Sequence, residues 1–160
     1  MTIFEYAIKM EKDGEDYYRQ LARQTTNKGL KTILTMLADE EVKHQNTIEK
    51  MKTNRPEMTE TTILDDAKNV FLEIKDSKEG FDLDIKQTEL YKKAQGIEKQ
   101  SQNFYLEKAE KLQDNKQKLL FKKLADEERK HFFLLENIIE FVSRPEHWLE
   151  NAEFFHLEEY

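Results

Sequence analysis

Apolar residues recur at alternating intervals of three and four positions along most of the chain, a spacing typical of amphipathic helices. The pattern predicts four long helices, over residues 2–25, 28–52, 84–111 and 115–142. Turn-forming residues separate the helices of each pair, from Thr25 to Gly29 in the first pair and from Gln113 to Asn115 in the second. The sequence therefore predicts an all-α protein, a four-helix bundle made of two helical hairpins.

The segment 53–83 must connect the two hairpins, and it begins with the helix-breaking residues Asn54, Arg55 and Pro56. Helical spacing then continues at Ile63, Leu64, Ala67, Val70, Phe71 and Ile74. This spacing predicts a short crossover helix that Gly80 ends. Pro145 should end the fourth long helix. A short terminal helix, over about 145–157, is predicted from the packing residues Trp148, Leu149, Ala152 and Phe155.

The two hairpins are an internal repeat, because one ungapped shift aligns them. The matched pairs include Ala7 and Ala94, Glu11 and Glu98, Tyr18 and Tyr105, and His44 and His131. The segment from Leu37 to Glu41 falls on an identical segment from Leu124 to Glu128. The chain has only four His residues, so the match of His44 to His131 indicates a duplicated hairpin.

The apolar seams of the second and fourth helices are interrupted at their middle by the motif Glu-x-x-His. The second seam reads Leu34, Leu37, Glu41, His44, Ile48 and Met51; the fourth reads Phe121, Leu124, Glu128, His131, Leu135 and Ile138. Residues on an apolar seam point into the core of a bundle. We therefore expect these two Glu and two His residues to be buried together, and Glu40 and Glu127, beside the seams, to be solvated or supporting groups.

The first and third helices each carry one Glu on an otherwise apolar or small seam, Glu11 and Glu98. Glu11 and Glu41 are equidistant from the turn at Thr26, so an antiparallel hairpin places them at the same height. Glu98 and Glu128 are likewise equidistant from Gln113. The sequence therefore predicts four carboxylates and two imidazoles at one level of the core.

Unpaired buried charges cost several kcal/mol each, and like charges repel, whereas two divalent cations would neutralise the cluster. One Glu from each of two helices and Glu-x-x-His from each of the others is the ligand set of di-iron and di-manganese bundles. Iron is the favoured metal, and manganese or zinc is possible. Tyr18 and Tyr105 are either hydrogen-bond donors to this site or core residues. His147 and His156 lie outside the repeat and are predicted to be at the surface.

Composition narrows the function further. The chain contains no Cys, so a metal must be held by oxygen and nitrogen ligands. A formal net charge of -7 argues against a nucleic-acid partner. No apolar run approaches the ~18 residues of a membrane span, and no signal peptide is evident. A cytoplasmic protein that does not enter membranes is expected.

These motifs resemble the rubrerythrin family of the ferritin-like superfamily over nearly the whole chain. The similar segments are Ala7 to Glu11 with Tyr17 and Tyr18, Ala94 to Glu98 with Phe104 and Tyr105, Leu37 to His44, and Leu124 to His131. The resemblance implies two iron ions bound by Glu11, Glu41, His44, Glu98, Glu128 and His131. It also implies that the chain reduces hydrogen peroxide or dioxygen through these residues. Since the chain lacks the cysteines of a rubredoxin domain, the electrons must come from an external donor such as a rubredoxin-like protein.

The sequence departs from the family at one position. Rubrerythrins usually carry an extra Glu one turn beyond the ligand of the third helix, where this chain has Ser101; the repeat partner of Ser101 is Gly14. Both residues are small and leave space beside the metals, but neither can act as a carboxylate ligand. The six-ligand set equally resembles the ferroxidase centres of bacterioferritins.

Two other functions fit the sequence. One is iron storage or trafficking by a ferritin-like shell with ferroxidase activity; the other is a metal-free helical module that binds a protein partner. The expected assembly is a homodimer. Residues 53–83 could connect to the second hairpin of the same chain or of a neighbouring chain, so the dimer is expected with or without exchanged hairpins.

Overall fold

The computed structural model describes residues 1–52, 58–77 and 83–150, and every regular element in these ranges is helical. The α-helices are α1 (Ile3–Gln24), α2 (Lys28–Lys52), α3 (Ile63–Asp76), α4 (Thr88–Ala109), α5 (Asn115–Ser143) and α6 (Pro145–Glu150). A 3-10 turn, Ile85–Gln87, leads into α4, which explains why the α-helix begins later than the sequence pattern predicted. The all-α fold class is confirmed.

Side-chain caps at the helix starts show why the turns fall where the sequence predicted them. Thr2 and Glu5 form a reciprocal capping box at the start of α1. The side chain of Asn27 accepts a hydrogen bond from the backbone amide of Leu30 at the start of α2. Asp114 accepts two backbone hydrogen bonds at the start of α5. Each cap satisfies amide groups that the first helical turn leaves without partners.

The hairpin α1–α2 packs against the hairpin α4–α5 to form a four-helix bundle. Tyr18 of α1 contacts Glu98 of α4, and Glu11 contacts Tyr105, so α1 and α4 are antiparallel neighbours. On the opposite face, α2 lies beside α5, also antiparallel. One apolar cluster contains Leu30, Leu34, Leu134 and Phe141 among others; a second contains Ala7, Ile48, Phe121 and Leu124 among others. The predicted polar residues lie between these clusters.

The crossover helix α3 packs on α2 and α5 of its own chain. The ring of Phe71 on α3 lies 4.4 Å from that of Trp148 on α6 and 5.4 Å from that of Phe141 on α5. Trp148 and Leu149 are buried, as predicted for packing residues, whereas His147 is exposed.

The crossover helix ends at Asp76, before Gly80, so the prediction that Gly80 ends it is wrong. The backbone amide of Ser77 bonds back to Glu73 and Ile74 and closes the last turn instead. The predictions that involve Asn54, Arg55, Pro56, Ala152, Phe155 and His156 lie outside the described residues. None of the helices in the described ranges has the length and apolar composition needed to cross a bilayer.

Candidate metal centre

The bundle brings the six predicted ligands together at its centre. They form two overlapping groups, Glu11, Glu41, His44 and Glu128, and Glu41, Glu98, Glu128 and His131. Within each group, one candidate ligand atom per residue lies within 4.8 Å of the others. Glu41 and Glu128 belong to both groups. The arrangement therefore offers two adjacent cation positions, each with one Glu and one His of its own and two carboxylates shared between them.

The repeated Glu-x-x-His motif explains this geometry. In each copy the His lies about one helical turn after the Glu, so both side chains leave the same face of the helix. Because α2 and α5 are antiparallel neighbours, the two copies face each other across the core. The rings of His44 and His131 are nearly parallel, at 12°, with centroids 5.7 Å apart.

The Nδ1 atoms of both histidines face the carboxylates. Nδ1 of His44 lies 2.9 Å from Oε1 of Glu128 and 3.4 Å from Oε2 of Glu11. Nδ1 of His131 lies 3.4 Å from Oε1 of Glu41 and 3.4 Å from Oε1 of Glu98. These nitrogens are therefore the ones available to a cation held among the carboxylates.

Several atoms of the cluster have no hydrogen-bond partner although they are buried: Oε1 of Glu41, Oε2 of Glu98, Oε1 of Glu128, and both ring nitrogens of His131. The 2.9 Å contact of His44 with Oε1 of Glu128 is short but lacks hydrogen-bond geometry, so that oxygen remains unpaired. A buried polar atom without a partner costs about 1–3 kcal/mol. These oxygen and nitrogen atoms are suitable ligands for two cations. Bound cations would remove the cost of leaving the atoms without partners.

The two shared carboxylates are difficult to ionise in the metal-free protein. Burial raises the pKa of Glu41 and of Glu128 well above the ordinary value, and the charges of neighbouring carboxylates, Glu11 first among them, raise each pKa further. In the metal-free protein, protons on Glu41 and Glu128 therefore reduce the negative charge of the cluster.

The unshared Glu–His pairs behave in the opposite way. Burial alone would raise the pKa of Glu11, but the charge of His44 and hydrogen bonds lower it to about 2. Burial alone would lower the pKa of His44, but Glu11 and other carboxylates raise it well above the ordinary value. The pKa of Glu98 is lowered and that of His131 raised for the same reasons. Without metal, each position holds a Glu–His ion pair.

We expect metal binding to release protons and to weaken as the pH falls. A metal must displace the protons held by Glu41, Glu128 and both histidines, so acidification favours the metal-free form. If at least one proton leaves per ion near neutral pH, the affinity falls about tenfold or more for each unit of pH. Calorimetric titration of metal in buffers of different ionisation enthalpy measures this release; binding heats independent of the buffer would contradict it.

Two further carboxylates face the far nitrogens of the histidines from outside the cluster. Oε1 of Glu127 lies 2.8 Å from Nε2 of His44, and Oε1 of Glu40 lies 3.8 Å from Nε2 of His131. Glu127 is 2% exposed, so the possibility that it is solvated is wrong, and it supports the site instead. A carboxylate at the far nitrogen fixes the orientation of a ligand histidine. Each contact joins a residue of one hairpin to the histidine of the other.

Thr61, just before α3, contacts both of these carboxylates. Its backbone amide donates to Oε2 of Glu127 at 3.1 Å, and its hydroxyl donates to Oε1 of Glu40. Nζ of Lys43 also lies 3.9 Å from a carboxylate oxygen of each. The crossover therefore takes part in holding the site. No pattern in the sequence pointed to Thr61 or Lys43.

Replacing Glu127 with Ala should weaken the metal position next to His44 by about 10–100-fold, because the imidazole loses the group that orients it. Stepwise cobalt(II) titration, followed by visible spectra, measures the affinity of each position. Asp126→Ala is the matched control, since Asp126 precedes Glu127 on α5 and is 49% exposed. Equal affinities in the wild type and in Glu127→Ala would contradict the supporting role.

The two tyrosines donate hydrogen bonds across the hairpins. The hydroxyl of Tyr18 lies 2.5 Å from Oε1 of Glu98, and that of Tyr105 lies 2.5 Å from Oε1 of Glu11. Burial, and then the nearby carboxylates, raise the pKa of both tyrosines well above the ordinary value, so both keep their protons. The tyrosines are therefore hydrogen-bond donors to the carboxylates, and they also belong to the apolar core clusters, so both interpretations of the sequence describe them.

The core of this helical bundle contains four carboxylates and two histidines in two overlapping groups. This arrangement defines a carboxylate bundle with a site compatible with two metal ions. The family model described as Rubrerythrin matches residues 2–139. The chain belongs to the rubrerythrin family.

A solved structure of a hypothetical protein from Pyrococcus furiosus matches 88% of this chain and 87% of its own, with 22% sequence identity and a TM-score of 0.60. At that identity the likeness shows a shared fold. No functionally curated protein matches the chain.

Proposed function

We propose that this chain is a non-haem di-iron oxidoreductase that reduces hydrogen peroxide, or alternatively dioxygen, and protects a cytoplasm against oxidative stress. One observation carries the proposal: two buried four-residue groups share Glu41 and Glu128 and contain oxygen and nitrogen atoms without partners. Membership of the rubrerythrin family supports iron as the metal. The proposed ligands are Glu11, Glu41, His44, Glu98, Glu128 and His131.

Two iron ions, when bound, would supply two electrons and positive charge at a site shielded from water. The chain's own residues provide the rest. Glu41 and Glu128 would be shared by both positions, Glu127 orients His44 through a hydrogen bond, and Glu40 faces the far nitrogen of His131. The hydroxyls of Tyr18 and Tyr105 hold one oxygen each of Glu98 and Glu11, which keeps these carboxylates from rotating.

Reduction of one hydrogen peroxide to two water molecules consumes two electrons and two protons. A further cycle requires two electrons from outside the site. These 160 residues contain no Cys and therefore no rubredoxin-type iron site, so we propose a separate donor such as a rubredoxin-like protein.

The test is anaerobic loading with two ferrous ions per chain, followed by rapid mixing with hydrogen peroxide. We expect ferric absorbance in the near ultraviolet, with one peroxide consumed for every two iron ions oxidised. Glu49→Ala is a suitable control, because Glu49 is exposed on the same helix as Glu41. Loaded protein that does not oxidise its iron with peroxide would refute this activity. Repeating the mixing with dioxygen shows which oxidant reacts faster.

We also propose a homodimer, with or without exchanged hairpins. Light scattering after size-exclusion chromatography tests this proposal. A mass of two chains agrees with it, whereas a shell of many chains would favour iron storage with ferroxidase activity.

A further inference from the structure

A cleft of about 440 Å³ opens between α1 and α4, on the face of the bundle opposite to the crossover. Gly14 and Ser101, the repeat-related small residues, are buried in it. Half-buried Met10, Ile97 and Phe104 contribute an apolar wall. Gly14 and Ser101 each lie about one helical turn after a candidate ligand, Glu11 and Glu98, so the buried part of the cleft lies next to the candidate metal centre.

Gly14 separates the cleft from the shared carboxylate Glu41. A Cβ atom at position 14 would lie only 3.1 Å from Oε2 of Glu41, so the absence of a side chain leaves this oxygen directly below the cleft. The other oxygen of Glu41 is buried without a hydrogen-bond partner. Glu41 is 3% exposed, compared with 1% or less for the five other candidate ligands. The least covered ligand is thus the one beneath Gly14.

On its other sides, the site is covered by side chains of described residues. Between α2 and α5, the site is covered by Glu40, Glu127 and Thr61, which bond to one another or to the histidines. Along the bundle axis, the site is closed by the two apolar clusters. A second cleft, of about 340 Å³, is lined by Glu127, but on that side Glu127 and His44 lie between the cleft and the shared carboxylates. At the cleft between α1 and α4, Gly14 lies directly against Glu41.

The lining of the cleft suits a small uncharged molecule. Lys9 and Asp13 line the cleft with opposite charges, so these two residues give it no net formal charge. Met10, Ile97 and Phe104 form an apolar wall without charged groups, and Glu41 is only 3% exposed, so a small molecule would reach it more readily than a bulky one. Ser101, 5% exposed, places a hydroxyl in the cleft, where it can exchange a hydrogen bond with a peroxide oxygen.

We propose that this cleft is the entrance and binding site for hydrogen peroxide, and that Gly14 and the wall at Ile97 limit it to small oxidants. This inference rests on the proposed function. Organic hydroperoxides with bulky groups are too large to pass Gly14 and reach the shared carboxylates. The cleft thus determines both where the oxidant arrives, beside Glu41, and which oxidants are accepted.

The test uses opposite substitutions at Ile97, which lines the cleft and belongs to neither apolar core cluster. Ile97→Trp should narrow the cleft, and Ile97→Ala should widen it. Leu106→Trp and Leu106→Ala are matched controls, because Leu106 is on the same helix, 44% exposed and outside the cleft. Metal content is measured first, to establish that each variant binds two ions.

Two readouts are compared. The first is azide binding to cobalt(II)-loaded protein, followed by visible spectra, which measures access without catalysis. The second is the rate constant for oxidation of loaded iron by hydrogen peroxide and by cumene hydroperoxide. In Ile97→Trp, azide association and the peroxide rate should fall about tenfold, equivalent to a modest added barrier. In Ile97→Ala, the preference for hydrogen peroxide over cumene hydroperoxide should shrink, and the Leu106 variants should match the wild type.

The proposal that the cleft is the entrance would be overturned if fully loaded Ile97 variants bind azide and react with both peroxides as the wild type does. That outcome leaves the proposed function intact if the wild type oxidises iron with peroxide. Conversely, Ile97→Trp could slow azide binding in a protein whose loaded iron does not react with peroxide. That result would support the cleft as the entrance to the site and refute the proposed oxidoreductase activity. If Ile97→Trp fails to fold, Ile97→Ala alone tests the entrance: an unchanged preference for hydrogen peroxide over cumene hydroperoxide would overturn it.

Discussion

Glu41→Ala is expected to abolish binding of both metal ions, whereas Glu11→Ala should abolish binding at one position. Glu41 belongs to both four-residue groups at the centre of the bundle, and Glu11 belongs only to the group that contains His44. Loss of residues that merely support a ligand costs about 10–100-fold in affinity, so loss of a shared ligand should weaken both ions by more than about 100-fold. Metal analysis of protein loaded anaerobically and then desalted measures the number of ions retained.

The repeat supplies a second pair for the same comparison. Glu128→Ala should behave as Glu41→Ala does, and Glu98→Ala as Glu11→Ala does, because each pair is related by the internal duplication. Glu49→Ala, in the exposed part of α2, should retain both ions. If Glu41→Ala and Glu11→Ala each retained one ion, Glu41 would not be shared between the two positions.

Removal of metal is expected to lower the melting temperature of the wild type by about 10 °C. Ligand held at 1,000 times its dissociation constant stabilises a fold by about 4 kcal/mol, and for a domain of this size 1 kcal/mol corresponds to about 2–4 °C. The physical reason lies in the buried atoms of Glu41, Glu98, Glu128 and His131, which have no partners without metal. Calorimetric scans of the metal-free and loaded protein measure the difference.

Glu41→Gln separates this effect from a general loss of packing. Burial and neighbouring carboxylates raise the pKa of Glu41 well above the ordinary value, so its side chain is already neutral in the metal-free protein. A neutral Gln of nearly the same shape should therefore leave the metal-free melting temperature almost unchanged and abolish the increase caused by metal. A wild type that melts at one temperature with and without metal would contradict the stabilising role.

The four long helices and the six candidate ligands could be predicted because their signals are local or repeated. Three-four spacing defines the buried seam of each helix, and the interruptions of that seam define which polar residues enter the core. The duplication pairs His44 with His131 and Glu11 with Glu98, and equal distances from the turn at Thr26 predict that Glu11 lies level with Glu41. Helical spacing predicts that Tyr18 is in the core but does not say what its hydroxyl contacts; the structure shows that the hydroxyl reaches Glu98 of the other hairpin.

Contacts between distant segments could not be predicted in the same way. Glu127 lies beside its seam and looked exposed or merely supporting, because its partner His44 is on the other hairpin and the rotation of one hairpin against the other is not encoded in helical spacing. Thr61 is in a connecting segment without periodicity, so its contacts with both Glu40 and Glu127 left no sequence signal. The end of α3 was predicted from Gly80, yet backbone hydrogen bonds of Ser77 close the helix earlier.

A crystal structure of the iron-loaded protein, with anomalous diffraction recorded at the iron edge, tests the dinuclear centre most directly. We predict two iron peaks about 3.5–4 Å apart, as in other two-metal sites. One peak should lie within bonding distance of Nδ1 of His44 and the other within bonding distance of Nδ1 of His131. The carboxylates of Glu41 and Glu128 should lie between the two peaks. A single iron peak would contradict the dinuclear centre. So would a fully iron-treated crystal without an iron peak, in which the carboxylates hydrogen-bond to one another.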